Sequence, residues 1–177
     1  RIPVILDPFV TRSVLGVLAS AFNGESVLKG RSLFAGRTGE QIGAANVSVL
    51  DDPTDPRALG AASHDSEGVA TRPTTLIAGG VLKGFLQNVY TGRRSGAGTT
   101  GSAVRGYTST PGVGVRALRL VPGEHSPEQI MASVPEALYV QSVSGVHSGT
   151  NPISGDFSVG AEGLMVRDGA FAEPVRE

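Results

Sequence analysis

Apolar residues Ile2, Val4, Ile5 and Leu6 open the chain as a near-continuous run, which predicts a short buried strand. Asp7 and Pro8 follow as a helix N-cap and a first helical residue whose missing N–H costs nothing. Val10, Val14, Val17, Leu18 and Ala21 then recur every three to four residues up to Asn23-Gly24. That period predicts an amphipathic helix of about four turns, closed by the Asn-Gly pair.

Between Gly30 and Arg72 the apolar runs are brief, notably Ile42 and Asn46 to Leu50, and predict strands separated by long ordered loops. Thr74 to Ile77 and Val81 to Leu86 flank Ala78-Gly79-Gly80, where two glycines permit the positive φ of a tight hairpin turn. Gly92 to Gly114 is dense in Gly, Ser and Thr with few apolar residues, and predicts an exposed, mobile loop. Val113, Val115, Ala117, Leu118 and Leu120 suggest a strand ending before Pro122. Ser126-Pro127-Glu128-Gln129 combines an N-cap, a proline at the first helical position and a capping-box glutamine, so a second helix starts there and Pro135 limits it. Leu138 to Val143 resume as a strand, and Asp156 to Val175 predict a hairpin turning at Asp168-Gly169. Strands outnumber helices without alternating with them. The fold class is therefore α+β, with a mostly antiparallel or mixed sheet, two or three helices and long Gly-rich loops.

The chain has 177 residues, 40% apolar and 18% charged, a composition that folds as one large or two small domains and excludes general disorder. Fifteen basic and sixteen acidic residues leave a net charge of −1, which offers no general field for a phosphate backbone or an anionic membrane. Neither nucleic acid nor membrane is expected as a partner. Absence of cysteine removes disulfides and thiolate metal sites and is compatible with a reducing compartment, so a cytoplasmic location is expected. No apolar run approaches the roughly 18 residues needed to span a bilayer. The start at Arg1, inside an apolar run and without Met, leads to the expectation that the chain is a piece of a longer polypeptide.

Candidate chemistry is sparse. His64, His125 and His147 stand at no spacing that would place two imidazoles and a Glu on one helix face, as a zinc-peptidase helix requires. A Gly-x-Ser-x-Gly elbow for a serine nucleophile is missing. Gly96-Ala97-Gly98-Thr99-Thr100-Gly101 matches GxGxxG literally, but neither follows a strand nor opens a helix, and reads as loop. Arg93 and Arg94 before it have the geometry to clamp a peptide carboxylate, or form a solvated pair. His64-Asp65-Ser66-Glu67-Gly68 has the composition of a metal or proton-transfer site and equally that of a polar turn fixed by Asp and Gly. The run Gly149 to Ser158, with Asn151 and Asp156, is a tight loop able to shape a groove beside a sheet edge. The candidates for peptide or partner binding are thus Asp65, Glu67, Arg93, Arg94, Asn151 and Asp156. No catalytic residue or metal ligand is assigned, and any chemistry is expected to be completed by residues outside these 177.

The stretch from Ser144 through Gly149-Thr-Asn-Pro-Ile-Ser-Gly-Asp-Phe-Ser158 to Asp168-Gly169, ending in Pro174-Val-Arg-Glu177, resembles the C-terminal region of the TldD/PmbA family, also called modulators of DNA gyrase. Asp65-Ser66-Glu67-Gly68-Val69, the Gly79-Gly80 hairpin with Leu82-Lys-Gly-Phe-Leu86, and Tyr90 with Arg93 agree with that family in the same order. In it, TldD-type subunits carry a metal-binding HExxxH helix, while PmbA or TldE-type subunits lack the motif. The corresponding helix here, Asp7 to Gly16, has neither His nor Glu, so the resemblance points to the PmbA side. It implies one C-terminal-type domain spanning 1–177, with an N-terminal domain before Arg1 and a family cysteine ligand beyond Glu177. It further implies no cofactor in this chain, zinc on a TldD-type partner, a hetero- or homodimer, and an extended peptide as substrate. Two other readings stay open: an independent metallopeptidase with a site around His64 and Glu67, and a non-proteolytic module that binds gyrase or a toxin system.

Overall fold

The computed structural model describes residues 1–176, which divide into two compact units, Arg1–Val17 with Gly123 onward, and Leu18–Pro122. The first unit is built on a four-stranded mixed sheet. Its strands, in spatial order, are Val4–Leu6, Glu136–Ser144, Gly160–Arg167 and Ala170–Arg176. Val4–Leu6 runs parallel to Leu138–Val140, and the other two pairings are antiparallel. The last hairpin turns at Asp168-Gly169 as expected, with φ of 50° and 79°, the left-handed pair that an Asp-Gly turn supplies. Gly163 sits at a bulge where a Cβ would lie 1.9 Å from the Tyr139 carbonyl oxygen, so only glycine lets the two strands close there. The opening strand is correct in place but not in burial: Val4 is 52% exposed, because the strand is an outer one with a neighbour on one side only. Ala137, Val140 and Val166 form the unit's core together with Val10 of the helix Pro8–Ala19.

The second unit holds a four-stranded antiparallel sheet in the order Val81–Leu82, Thr74–Ala78, Val49–Asp51, Leu118–Leu120. Ala78 pairs with Val81 around Gly79-Gly80, whose φ of 57° and 77° are those the sequence called for. Phe22, Leu76, Leu82 and Leu86 are fully buried, and the Phe22 and Phe34 rings meet at 5.3 Å.

Two sequence expectations need correction. Asn23-Gly24 does not close helical structure. The helix ends at Ala19, a single 3-10 turn covers Ser20–Phe22, and Asn23 caps a new short helix, Gly24–Leu28, its Oδ1 accepting from Glu25 and Ser26 N–H. Nor is Gly92–Gly114 an exposed loop. Gly92 lies inside a helix, Val89–Ser95, and Ala103–Val104 pairs with Gly112–Val113, with Ser102, Ala103 and Val113 buried. Small residues that cannot build a core by side chains build one by backbone approach: a Cβ on Gly92 would lie 2.4 Å from the carbonyl carbon of Gly98. Five α-helices occur among the described residues instead of two or three, four of them only four to seven residues long and too short to show a period. The α+β class with antiparallel and mixed sheets stands.

Candidate functional site

The helix Pro8–Ala19 is the element that the resemblance matches to the metal-binding helix of TldD-type subunits. Its start is fixed by Asp7, whose Oδ1 accepts from the Phe9 N–H at 2.9 Å while its Oδ2 accepts from the Tyr139 hydroxyl at 2.8 Å. Asp7 N–H in turn donates to the Val140 carbonyl at 3.0 Å, so strand pairing and cap hold one another. The carboxylate hydrogen bond pushes the Tyr139 phenol above its ordinary pKa, and the Tyr139 ring packs edge-on to Phe171 at 5.2 Å. Between Pro8 and Ala19 the side chains are apolar or hydroxyl apart from Arg12. Zinc held on such a helix needs imidazole and carboxylate donors, which these residues do not offer. More broadly, no three His, Asp or Glu side chains gather into a possible metal site among the described residues.

Asp65 and Glu67 are spent on structure. Asp65, 7% exposed, accepts through Oδ1 from Glu67 and Val69 N–H at 2.9 and 3.0 Å, and through Oδ2 from Ala103 N–H at 3.0 Å. Gly68 with φ 79° completes the turn. Glu67 Oε2 accepts from Val89 N–H at 2.8 Å, at the start of the helix Val89–Ser95, where the free amide and the helix dipole both favour a carboxylate. The same helix carries Arg93 and Arg94, both exposed, in its last turn. Four of the six candidates, Asp65, Glu67, Arg93 and Arg94, therefore fall on adjoining elements of the second unit. His64 stands apart from their chemistry, its Nδ1 3.1 Å from Ser63 Oγ.

Asn151 and Asp156 belong to the first unit. Asn151 Oδ1 accepts from Ile153 and Ser154 N–H at 3.0 and 3.2 Å, and Asp156 Oδ2 accepts from Ser154 Oγ at 2.6 Å. Both are exposed. They join the ends of a two-stranded ribbon, Thr150–Asn151 with Asp156–Phe157, beside a shallow depression of about 440 Å³ lined by Ser144, Ser148, Ser158 and neighbouring glycines. Sequence reasoning passed over Asn88 and Thr91, which form a complete capping box in front of the two arginines, and Arg72, whose guanidinium bonds the Thr99 carbonyl. The Asn-x-x-Thr spacing was the available signal for the box.

Known proteins resemble this chain along its whole length. Metalloprotease PmbA of Escherichia coli O157:H7 is 29% identical over 177 residues, which cover 100% of this chain and 37% of that protein. The crystal structure of a proposed modulator of a DNA gyrase from Thermotoga maritima superposes with a TM-score of 0.90 at 34% identity, over 98% of this chain and 40% of that one. TldE from Thermococcus kodakarensis superposes with a TM-score of 0.86 at 29% identity, over 99% of this chain and 40% of that one. The chain thus spans well under half the length of the relatives it matches. The family model described as PmbA/TldA metallopeptidase C-terminal domain matches residues 1–177, and the chain belongs to that family.

Proposed function

We propose that this metalloprotease-like domain is the C-terminal part of a PmbA/TldE-type subunit that performs no cleavage by itself and supports a TldD-type partner. The observation that carries the reading is the helix Pro8–Ala19, whose side chains include no imidazole and no carboxylate. The fold keeps this helix well capped and its Val10 buried, so the element persists as scaffold where a metal-binding version would need donors. In this reading zinc sits on the partner, where it polarises the scissile carbonyl and activates water.

This chain contributes binding surface. The outer strand Ala170–Arg176 is hydrogen-bonded to Gly160–Arg167 on one side, and its other side offers main-chain groups to an extended peptide in a sequence-tolerant way. Asn151 and Asp156 rim that unit's ribbon, and Arg93 and Arg94 offer carboxylate-binding forks on the other unit. A cytoplasmic hetero- or homodimer that processes peptides follows from the same reading.

The test is to purify the full-length protein alone and together with a TldD-type partner, and to measure bound zinc and cleavage of an unstructured peptide. Alone it should hold zinc far below one equivalent and leave the peptide intact, whereas the mixture should cleave in a chelator-sensitive manner. Cleavage by the lone protein at the rate of the mixture would overturn the proposal.

A further inference from the structure

Charge is not spread evenly along this chain. From Gly68 to Gly123 there are seven basic residues and no acidic one, although the whole chain carries a net −1. Within the compact unit Leu18–Pro122 eleven basic residues face seven acidic ones, whereas the other unit has four basic and nine acidic. Six of the seven, all but Arg116, are exposed, Arg72, Arg93, Arg94 and Arg105 among them.

The fold gathers these last four. The Gly98 N–H donates to the Gly92 carbonyl at 3.1 Å, which folds the Gly-rich segment back on the helix Val89–Ser95, and the Arg72 guanidinium bonds the Thr99 carbonyl on that same segment. At the other end of the helix Asn88 Nδ2 donates to the Pro111 carbonyl at 3.4 Å, which ties it to the base of the hairpin whose loop carries Arg105 and Tyr107. Tyr90 on the helix is 63% exposed and Tyr107 fully exposed. Asp65 and Glu67 touch these elements, and both carboxylates are engaged by backbone N–H groups.

Six of the fifteen Lys and Arg residues have an ion pair among the described residues, and Arg1, Arg12, Arg31, Lys83 and Arg116, which are not among these four, have none. Lys29, Arg37, Arg57, Arg119, Arg167 and Arg176 all reach a carboxylate within 4.0 Å, while Arg93, Arg94 and Arg105 enter no ion pair among the described residues. What sets this lobe apart is the grouping of exposed guanidinium forks in a stretch of chain without acidic residues, which suits an external carboxylate partner.

We infer that this lobe of the second unit, bearing Arg72, Arg93, Arg94 and Arg105 with Tyr90 and Tyr107, docks an acidic polypeptide segment. Several exposed cations each contribute little, so a single small anion gains too little to stay and a partner with several carboxylates is required. A nucleic-acid strand is the poorer occupant, since outside these four arginines eleven basic residues stand against sixteen acidic ones and offer nothing to hold a polyanion longer than the lobe. Carboxylates match the guanidinium fork two bonds at a time, and the tyrosines cover the apolar stems between them. The inference does not rest on the metallopeptidase reading, because binding is measurable without cleavage.

The test uses the full-length protein with three fluorescent probes of about 12 units each: an alternating Glu-Ala peptide, its Gln-Ala counterpart, and oligothymidylate. The Glu peptide should bind at least about fivefold tighter than the Gln peptide and weaken severalfold between about 50 and 200 mM salt. R93Q/R94Q/R105Q should weaken it, and R93E/R94E/R105E should weaken it further, by about tenfold or more, with unchanged circular dichroism and thermal midpoint. Equal binding of Glu and Gln peptides, charge reversal without effect, or tighter binding of oligothymidylate would each overturn the inference.

Discussion

The turn at 64–70 and the loop at 149–158 have the same kind of sequence, an Asp or Asn set among Ser and Gly, and rest on hydrogen bonds of different reach. Asp65 binds two amides of its own turn and one from Ala103, 38 residues on, and is buried. Asn151 binds Ile153 and Ser154, two and three residues on, and is exposed. Local bonds of the second kind can re-form in water or be replaced by it. A buried carboxylate that satisfies amides from two segments has no such substitute, since removing it leaves dry N–H groups without acceptors. The same residue types thus make a fold-holding joint in one place and a replaceable turn in the other.

The largest effect that follows is for Asp65→Ala. Three backbone donors lose their acceptor, at a cost of about 2–4 kcal/mol in urea unfolding. Asp65→Asn should lie between, because an amide keeps the Oδ1 contacts and sets an N–H group against the Ala103 donor. A loss below about 1 kcal/mol for the alanine variant would break the comparison, since Asp65 would then be no more than a local turn residue.

Asp51 sharpens the comparison by adding pH. It is 1% exposed and accepts from Arg116 and Ala117 N–H at 3.0 and 2.6 Å, and burial raises its pKa despite those bonds. The folded state therefore binds this proton more tightly than the unfolded chain does. Its stabilising share is complete below the unfolded value of 3.8 and is lost as pH rises through the higher folded value. Relative to Asp51→Asn, whose amide oxygen can keep accepting, the native protein should lose stability on going from about pH 3.5 to about pH 7. Urea midpoints of both proteins across that range check it, and a gap that moves the other way would show that the backbone bonds outweigh desolvation.

What was legible in the sequence follows the same division by reach. Ser126 Oγ accepting from Gln129 N–H, Asp7 capping Phe9, and the Asp168-Gly169 and Gly79-Gly80 turns are all local devices, and each was readable from neighbours in sequence. The helix Pro8–Ala19 was readable too, and with it the lack of metal donors on which the functional reading turns. The buried role of Asp51, in Leu50-Asp51-Asp52-Pro53, is not legible locally, because its partners at 116 and 117 are remote. The helix Val89–Ser95 stayed hidden because seven residues with a glycine at the centre show no apolar period, although that glycine is what allows Gly98 to approach. The basic lobe was missed for a different reason: a net charge taken over the whole chain cancels an excess of one sign against an excess of the other.

Asn151→Ala tests the weak side of the comparison. Removing Oδ1 frees the Ile153 and Ser154 amides, but both residues are exposed and water replaces the acceptor, so global stability should fall by less than about 1 kcal/mol. The backbone bond from Gly155 N–H to the Asn151 carbonyl at 2.8 Å remains, as does the pairing of Thr150–Asn151 with Asp156–Phe157. The change should therefore appear locally, as faster amide exchange at Ile153 and Ser154 with exchange along Gly160–Arg167 unaltered. If the strand amides also accelerate, the ribbon is part of what holds the sheet, and its composition will have concealed a joint of the Asp65 kind.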